Sequence, residues 1–305
     1  MHNRTRASRA LQAQEPLPTR IAQAAKMRQY RESAARVLAQ SDFDLEDKLL
    51  RANPDFATLW NSRRRHILAT ASDGVLPREL ALTQEQLMRF PKSYGAWYHR
   101  RWAMEHLRAD AGVWAKEMAL CDALLERDAR NFHCWAHRAW VASQLPGAVN
   151  DLAESRRLIE KNFSNYSAWH LRARALRDDA ADAAAARIDF AVEFELTSNA
   201  FYTEPADQSA WMYYRWLLAR APAAALQGQA EAVQALLDEE GDCKWALLAL
   251  LQLGAVGAAV AADGAARSGV VARLRAVDAM HARFYDHLDD LIAKGESLRP
   301  ALFCT

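Results

Sequence analysis

The sequence predicts an all-α fold, an α-solenoid of antiparallel helix pairs, on three observations. Alanine is abundant throughout, while only 11 Gly and 9 Pro occur in 305 residues, a composition that favours helix over sheet. Tryptophan recurs in similar surroundings at Trp60, Trp97, Trp135, Trp169 and Trp211, in steps of 37, 38, 34 and 42 residues. Periods in this range mark arrays in which each helix pair buries its apolar face only against its neighbours. Between the tryptophans lie stretches whose apolar residues step by three and four, the helical spacing.

Taken in order, residues 1–40 read as a basic N-terminal arm and a first helix. The opening "MHNRTRASRALQAQ" is rich in Arg and poor in acids. A mitochondrial transit peptide has that composition, and so does a solvated basic arm, which is the reading adopted. Residues 41–295 read as the helical-repeat domain with its closing helices, and 296–305 as a C-terminal tail.

The five copies are "NPDFATLWNSRRR", "PKSYGAWYHRRW", "NFHCWAHRAW", "NYSAWHLRAR" and "DQSAWMYYRW". Four residues before the tryptophan stand Ser93, Asn131, Asn165 and Asp207, whose side chains are suited to cap a first helical turn. Six before it come Pro54, Pro91 and Pro205, expected near the helix start, where a missing N–H is harmless. The preceding residue is small in four copies: Ala96, Cys134, Ala168 and Ala210. Three after it, one turn on, come Arg63, Arg100, Arg138 and Arg172; the fifth copy has Tyr214 there and Arg215 next.

The intervening stretches supply the second helix of each unit. In "VWAKEMALCDALLER" the expected buried stripe is Trp114, Met118, Cys121 and Leu125; in "DLAESRRLIEKNF" it is Leu152, Ile159 and Phe163. The run "WALLALLQLGAVGAAVAA", residues 245–262, approaches the length of a membrane span, but Gln252, Gly254, Gly257 and its alanines make it feebly apolar. A buried helix or helix pair is expected there, and no membrane span.

A net charge of +1 gives the whole chain no strong pull on nucleic acid or an anionic surface. Cys121, Cys134, Cys243 and Cys304 show no C-x-x-C spacing, as befits free thiols in a reducing compartment. A cytoplasmic location is therefore expected.

Two positions depart from what the repeat requires. His133 and His137 stand at i and i+4, the spacing of many helical zinc ligands. No third ligand follows at a recognisable distance, and the central Glu of H-E-x-x-H is missing. His137 matches His99, Leu171 and Tyr213 in other copies, a packing position; His133 matches Gly95, Ser167 and Ser209, so the scaffold does not demand it. Lys92 is the second departure. A cation at a helix entrance opposes the helix dipole, whereas lysine plus a helix N-terminus suits phosphate. Lys92 and Tyr94 hold the same place one repeat before His133, so the three are expected to cluster on one edge.

The Trp-x-x-Arg repeat preceded by N-P or N-[YF] resembles that of the protein prenyltransferase α-subunit family, over about residues 45–295. "NPDFATLWNSRR", "PKSYGAWYHRRW", "RNFHCWAHR", "NFSNYSAWH", "NAFYTEPADQSAWMYYRWLL" and "LRAVDAMHARFYDHLDDL" are most similar to the type II, or Rab geranylgeranyltransferase, branch, as is the Met1-His2 start. The resemblance implies a right-handed, TPR-like crescent wrapped around a separate α/α-barrel β subunit. That β subunit would carry the catalytic zinc and the isoprenoid pocket, with no metal bound by this chain. The activity implied is transfer of geranylgeranyl from geranylgeranyl diphosphate to C-terminal cysteines of Rab GTPases presented by a Rab escort protein. Lys92 and His133 match the family residues that reach the diphosphate, with Tyr94 beside Lys92, and His2 the N-terminal histidine that can approach the partner's zinc. The type II subunits of animals and plants carry leucine-rich repeats after the helices, and those of animals a sandwich domain; neither is readable before Thr305. His137, Ala139 and Tyr214 stand where the family often has Tyr, Arg and His, and read as packing changes. A farnesyltransferase or type I α subunit, a related α-repeat protein and a non-catalytic helical-repeat adaptor are the alternatives.

Overall fold

Five turns of one length set the helix pairs. The computed structural model describes residues 17–40, 42–70, 74–106, 111–147, 149–177, 188–258 and 263–303. Helices α1 (Leu17–Ala39), α2 (Phe43–Ala52), α3 (Ala57–Thr70), α4 (Val75–Arg89), α5 (Tyr94–His106), α6 (Ala111–Arg127) and α7 (Phe132–Ser143) precede α8 (Asp151–Lys161), α9 (Tyr166–Leu176), α10 (Phe190–Thr203) and α11 (Gln208–Leu218). Then come α12 (Gln229–Glu240), α13 (Lys244–Ala255), α14 (Gly264–Val277), α15 (Ala282–Ala293) and α16 (Arg299–Phe303), with 3₁₀ turns at Ala223–Leu226 and Ala279–His281. Residues 53–56, 90–93, 128–131, 162–165 and 204–207 each join a leading helix to the tryptophan helix after it. No strand occurs among the described residues.

Each turn is closed from both sides. Asn131 accepts from the amides of His133 and Cys134, Asn165 from Ala168 and Asp207 from Ser209, as the cap positions predict. Ser93 Oγ accepts from the Ala96 amide at 3.3 Å. The tryptophan indole donates back to the carbonyl six residues earlier in all five copies: Trp60 to Pro54 at 2.7 Å, Trp97 to Pro91 at 2.8 Å, Trp135 to Ala129 at 2.9 Å, Trp169 to Phe163 at 2.8 Å and Trp211 to Pro205 at 2.9 Å. A buried indole N–H needs such a partner. The prolines therefore lie inside the turn, two residues ahead of the cap position, and act through their carbonyls rather than as first helical residues.

Packing divides the chain into two units, residues 1–148 and 149–305. In the first, α4 packs on α5 and α6 on α7, while α1 packs on α2 and α3. In the second, α8 packs on α9, α10 on α11, α12 on α13 and α14 on α15, with α16 against α13. Helix pairing within each unit is what an α-solenoid requires. Trp60, Trp97, Trp169 and Trp211 are buried, as are Ala96, Cys134, Ala168 and Ala210 before the later tryptophans. Trp135 differs: it is partly exposed and packs against the first unit's core.

The leading helices turn slightly other faces inward than their sequence stripes suggest. On α6 the buried residues are Glu117, Leu120, Cys121, Leu124 and Leu125, leaving Trp114 and Met118 at the margin. On α8 they are Ser155, Leu158 and Ile159, and Leu152 is exposed. Both stripes rotate because polar residues occupy interior places that an apolar count passes over. The run from residue 245 begins as α13, with Leu247, Leu250, Leu251 and Leu253 buried in protein. No helix among the described residues is long and apolar enough to cross a membrane.

Candidate functional site

An acid stands 18 residues before each tryptophan: Asp42, Glu79, Glu117, Asp151 and Glu193. Glu79, Glu117 and Glu193 are buried and supply the polar interior, whereas Asp42 is exposed and caps α2, and Asp151 is partly exposed at the start of α8. Glu79 receives Arg63 Nη2 at 2.7 Å and His99 Nε2 at 2.9 Å. Glu117 receives Arg100 Nε at 2.7 Å and His137 Nε2 at 2.6 Å. Glu193 receives Arg172 Nη2 at 2.7 Å and the Tyr213 hydroxyl at 2.7 Å. In each case the arginine comes from the preceding tryptophan helix, and the His or Tyr from the helix paired with the acid. That His or Tyr also packs on the earlier indole, with ring centroids 4.4 Å apart for Trp60–His99, 5.0 Å for Trp97–His137 and 5.1 Å for Trp169–Tyr213. The arginines seen in the sequence are thus buried structural ligands. Their acids escaped notice because they stand on the other helix, although the fixed 18-residue interval was readable.

His137 therefore spends Nε2 on Glu117 and faces inward, whereas His133 lies elsewhere on the same helix. The two do not converge on a metal, and among the described residues no group of three His, Cys, Asp or Glu side chains could hold one. His2 lies outside the described residues.

His133 sits in the first turn of α7, half-buried between two rings. The Tyr94 ring meets it edge-on, with centroids 4.1 Å apart and planes at 86°; Phe132 lies 4.0 Å away at 34°. Its Nε2 is buried and has no hydrogen-bond partner. Burial pushes the imidazole below its ordinary pKa, only partly offset by the Asp55 carboxylate, so it is neutral at pH 7. A buried, unsatisfied nitrogen is an open valence that a ligand can fill. Phe132 had drawn no attention in the sequence; its place three residues before Trp135 matches that of Tyr94 before Trp97 and of Tyr166 before Trp169.

Lys92 lies in the turn, two residues ahead of the first helical residue of α5. Its ammonium is 3.0 Å from Asp128 Oδ2, and its side chain is 66% exposed. The Lys92 hydrogen bond holds the Asp128 carboxyl below the usual carboxylate range. Asp128 Oδ1 in turn accepts from the Arg130 amide at 3.1 Å. The fold thus brings Tyr94 and His133 together, while Lys92 reaches the turn that leads into His133. An exposed cation, a phenol and a neutral imidazole stand at the N-termini of two helices, whose free amides and dipoles favour an anion.

The protein prenyltransferase alpha subunit repeat matches residues 76–107, 114–145, 149–178 and 190–221. Each segment spans a leading helix, its turn and the tryptophan helix. The chain is 34% identical over 259 residues to the geranylgeranyl transferase type-2 subunit alpha of Dictyostelium discoideum, covering 79% of this chain and 81% of that protein. It is 40% identical over 216 residues to the subunit of the same name from Bos taurus, covering 66% of this chain but 38% of the relative. The Saccharomyces cerevisiae subunit of that name is 30% identical over 183 residues, or 56% of each chain. The chain thus spans well under half the length of the mammalian relative. Among solved structures, Candida albicans protein geranylgeranyltransferase-I complexed with GGPP matches 85% of this chain and 86% of its own with a TM-score of 0.66. At 18% identity that likeness speaks for the fold.

Proposed function

Because the chain belongs to the protein prenyltransferase α-subunit family, with relatives named type-2 subunits, we propose that it is the α subunit of a Rab geranylgeranyltransferase. Paired with a β subunit, it takes part in moving geranylgeranyl from its diphosphate to C-terminal cysteines of Rab GTPases delivered by an escort protein. The relatives' names favour this over a type I or farnesyl subunit and over a bare adaptor.

The observation that carries the site reading is the unsatisfied Nε2 of His133, next to Tyr94 at 4.1 Å. When the C–O bond to the isoprenoid breaks, negative charge gathers on the departing diphosphate. Groups preorganised toward that charge lower the barrier more than groups that merely bind the substrate. Lys92 brings a full charge, released from Asp128 as the stronger anion arrives. His133 donates a hydrogen bond from a neutral ring, and Tyr94 a phenolic O–H. For the diphosphate to meet Nε2, the Tyr94 or Phe132 ring has to swing aside. In this reading the zinc belongs to the β subunit, where it would favour the thiolate of the substrate cysteine. In the same reading, this chain's part at the site is stabilisation of the leaving group.

The test is co-expression with a type-2 β subunit, followed by a prenylation assay with geranylgeranyl diphosphate and escort-bound Rab. The pair should modify Rab and the chain alone should not. Transfer to an isolated C-terminal peptide in preference to escort-bound Rab would favour the type I alternative. A chain that never associates with the β subunit would leave the adaptor reading.

A further inference from the structure

Asp128 carries a charge that its own turn does not require. It stands seven residues before Trp135, the place that Asn53 holds before Trp60 and Asn162 before Trp169. In all three turns the side-chain Oδ1 accepts from the amide two residues on: Asn53 from Asp55 at 3.2 Å, Asp128 from Arg130 at 3.1 Å and Asn162 from Ser164 at 3.0 Å. An amide oxygen does that work as well as a carboxylate oxygen, so the scaffold leaves the negative charge unexplained. The other oxygen accounts for it: Asp128 Oδ2 lies 3.0 Å from Lys92 Nζ. The Lys92 hydrogen bond keeps the Asp128 carboxyl below the usual range, so the pair is charged on both sides at pH 7. The backbone around Lys92 is held on either side of it. Asn131 Nδ2 donates to the Pro91 carbonyl at 2.8 Å, and Ser93 Oγ to Asp55 Oδ1 at 2.7 Å. What stays adjustable is the lysine side chain, which is 66% exposed.

We propose that Asp128 is a positioning residue for Lys92: it holds the ammonium between turnovers, competes with the diphosphate for it, and so limits how tightly the diphosphate group is bound. This rests on the reading above in which Lys92 meets the diphosphate. A carboxylate can also help by aiming a lysine at its target. Magnitudes decide against that role here. Ordering a long side chain through one exposed ion pair is worth little. A diphosphate, by contrast, brings several negative charges toward an ammonium that Asp128 already neutralises, and repulsion between the two anions adds to the cost. That cost falls on the bound substrate and on the transition state nearly alike. A uniform term of this kind changes affinity and leaves the rate at saturation almost untouched. The benefit lies in release: the pyrophosphate product leaves more readily because Asp128 takes the lysine back.

The test uses the heterodimer with a type-2 β subunit and inorganic pyrophosphate as the probe. Asp128→Asn keeps the oxygen that accepts from the Arg130 amide and removes only the charge. Its inhibition constant for pyrophosphate in the prenylation assay should fall about 3- to 10-fold, while the single-turnover rate at saturating geranylgeranyl diphosphate should change less than about twofold. Added to Lys92→Ala, the same substitution should shift the inhibition constant by less than about twofold, because no ammonium is left to compete for. An unchanged or raised inhibition constant in Asp128→Asn overturns the proposal. So does an equal shift in both backgrounds, since general charge rather than Lys92 would then be the cause. A lower melting temperature together with slower single turnover would make Asp128 a structural part of its turn and overturn it too. In each of those cases Lys92→Ala still slows transfer, and the diphosphate reading stands. If Lys92→Ala alters neither the inhibition constant nor the single-turnover rate, Lys92 is not at the site, and that reading falls together with this proposal.

Discussion

His137 Nε2 lies 2.6 Å from Glu117 Oε1, while Arg100 Nε donates to the same oxygen at 2.7 Å. One buried carboxylate therefore joins α5 to α7 through α6. The His137 and Arg100 hydrogen bonds outweigh burial and hold the Glu117 carboxyl down at about 2. Its contribution to stability is present above the ordinary carboxylate pKa and is lost as pH falls from about 4.3 toward 2. Glu117→Gln should cost about 3–5 kcal/mol at pH 7, because Arg100 is left buried without its counter-charge. Urea unfolding at pH 7 and pH 3 checks this: the gap between variant and parent should narrow at the lower pH.

Glu46 should show the opposite slope. It shares the Arg63 pocket with Asp47 and Glu79, and burial pushes its carboxyl up to about 7 despite Arg63. The folded chain thus binds a proton that the unfolded chain has released, and this group's contribution falls as pH rises from about 4.3 to 7. Glu46→Gln should flatten that decline, gaining on the order of 1–3 kcal/mol over the parent at pH 8 relative to pH 5. Chemical unfolding across that range reads it directly, and an unchanged pH profile would contradict it.

The tryptophans should not be equivalent. Trp97→Ala and Trp169→Ala remove buried rings and should each cost about 3–5 kcal/mol. Trp135→Ala should cost clearly less, since its indole is only partly buried where it packs against the core. Thermal melts of the three variants give the ranking. A Trp135 loss as large as the others would show its ring to be fully packed.

Gly95 should tolerate no side chain. A Cβ there would sit 2.5 Å from the Pro54 carbonyl oxygen and 2.7 Å from Trp60 Nε1. It would collide with the hydrogen bond that closes the first turn. Gly95→Ala should destabilise by about 1–3 kcal/mol through the forced shift, despite the helix preference of alanine. The measure is the midpoint of unfolding.

At the proposed diphosphate edge, Lys92→Ala should slow single turnover of the heterodimer by roughly tenfold to a thousandfold, about 1.4–4 kcal/mol in the barrier. His133→Ala should act in the same direction but more weakly, as a neutral donor is lost rather than a charge. Both act on one leaving group, so the double variant need not be additive. Zinc content and melting temperature should stay at parent values. Normal single-turnover rates in both variants would remove these residues from the site.

Much of the scaffold was legible because it repeats. Trp97, its cap Ser93 and Arg100 each recur, so their jobs could be read by superposing copies. Glu79 and Glu117 were not, because a buried acid looks like a surface residue until its arginine is found on another helix. The prolines stand near the helix starts, as their spacing suggests, but their part in closing the turn is hidden in the sequence because the atom used is a carbonyl, which every residue has. At the candidate site, Lys92 and His133 stood out because the scaffold does not need them. Phe132, Asp128 and the Tyr94–His133 ring contact depend on how neighbouring turns lie together, which no single copy records.

The constant interval from acid to indole has a consequence for insertions and deletions. Asp42, Glu79, Glu117, Asp151 and Glu193 keep the same separation from their tryptophans, although the tryptophans themselves are 37, 38, 34 and 42 apart. All of that variation falls between a tryptophan and the next acid. Between Glu79, Glu117 or Glu193 and its tryptophan, one extra helical residue turns everything beyond it by about 100° and carries the buried acid or the indole off its partner. Change in length has a single outlet, the far ends of the tryptophan helices and the connections beyond them. Those are the places to splice in a tag or a loop while keeping the array in frame.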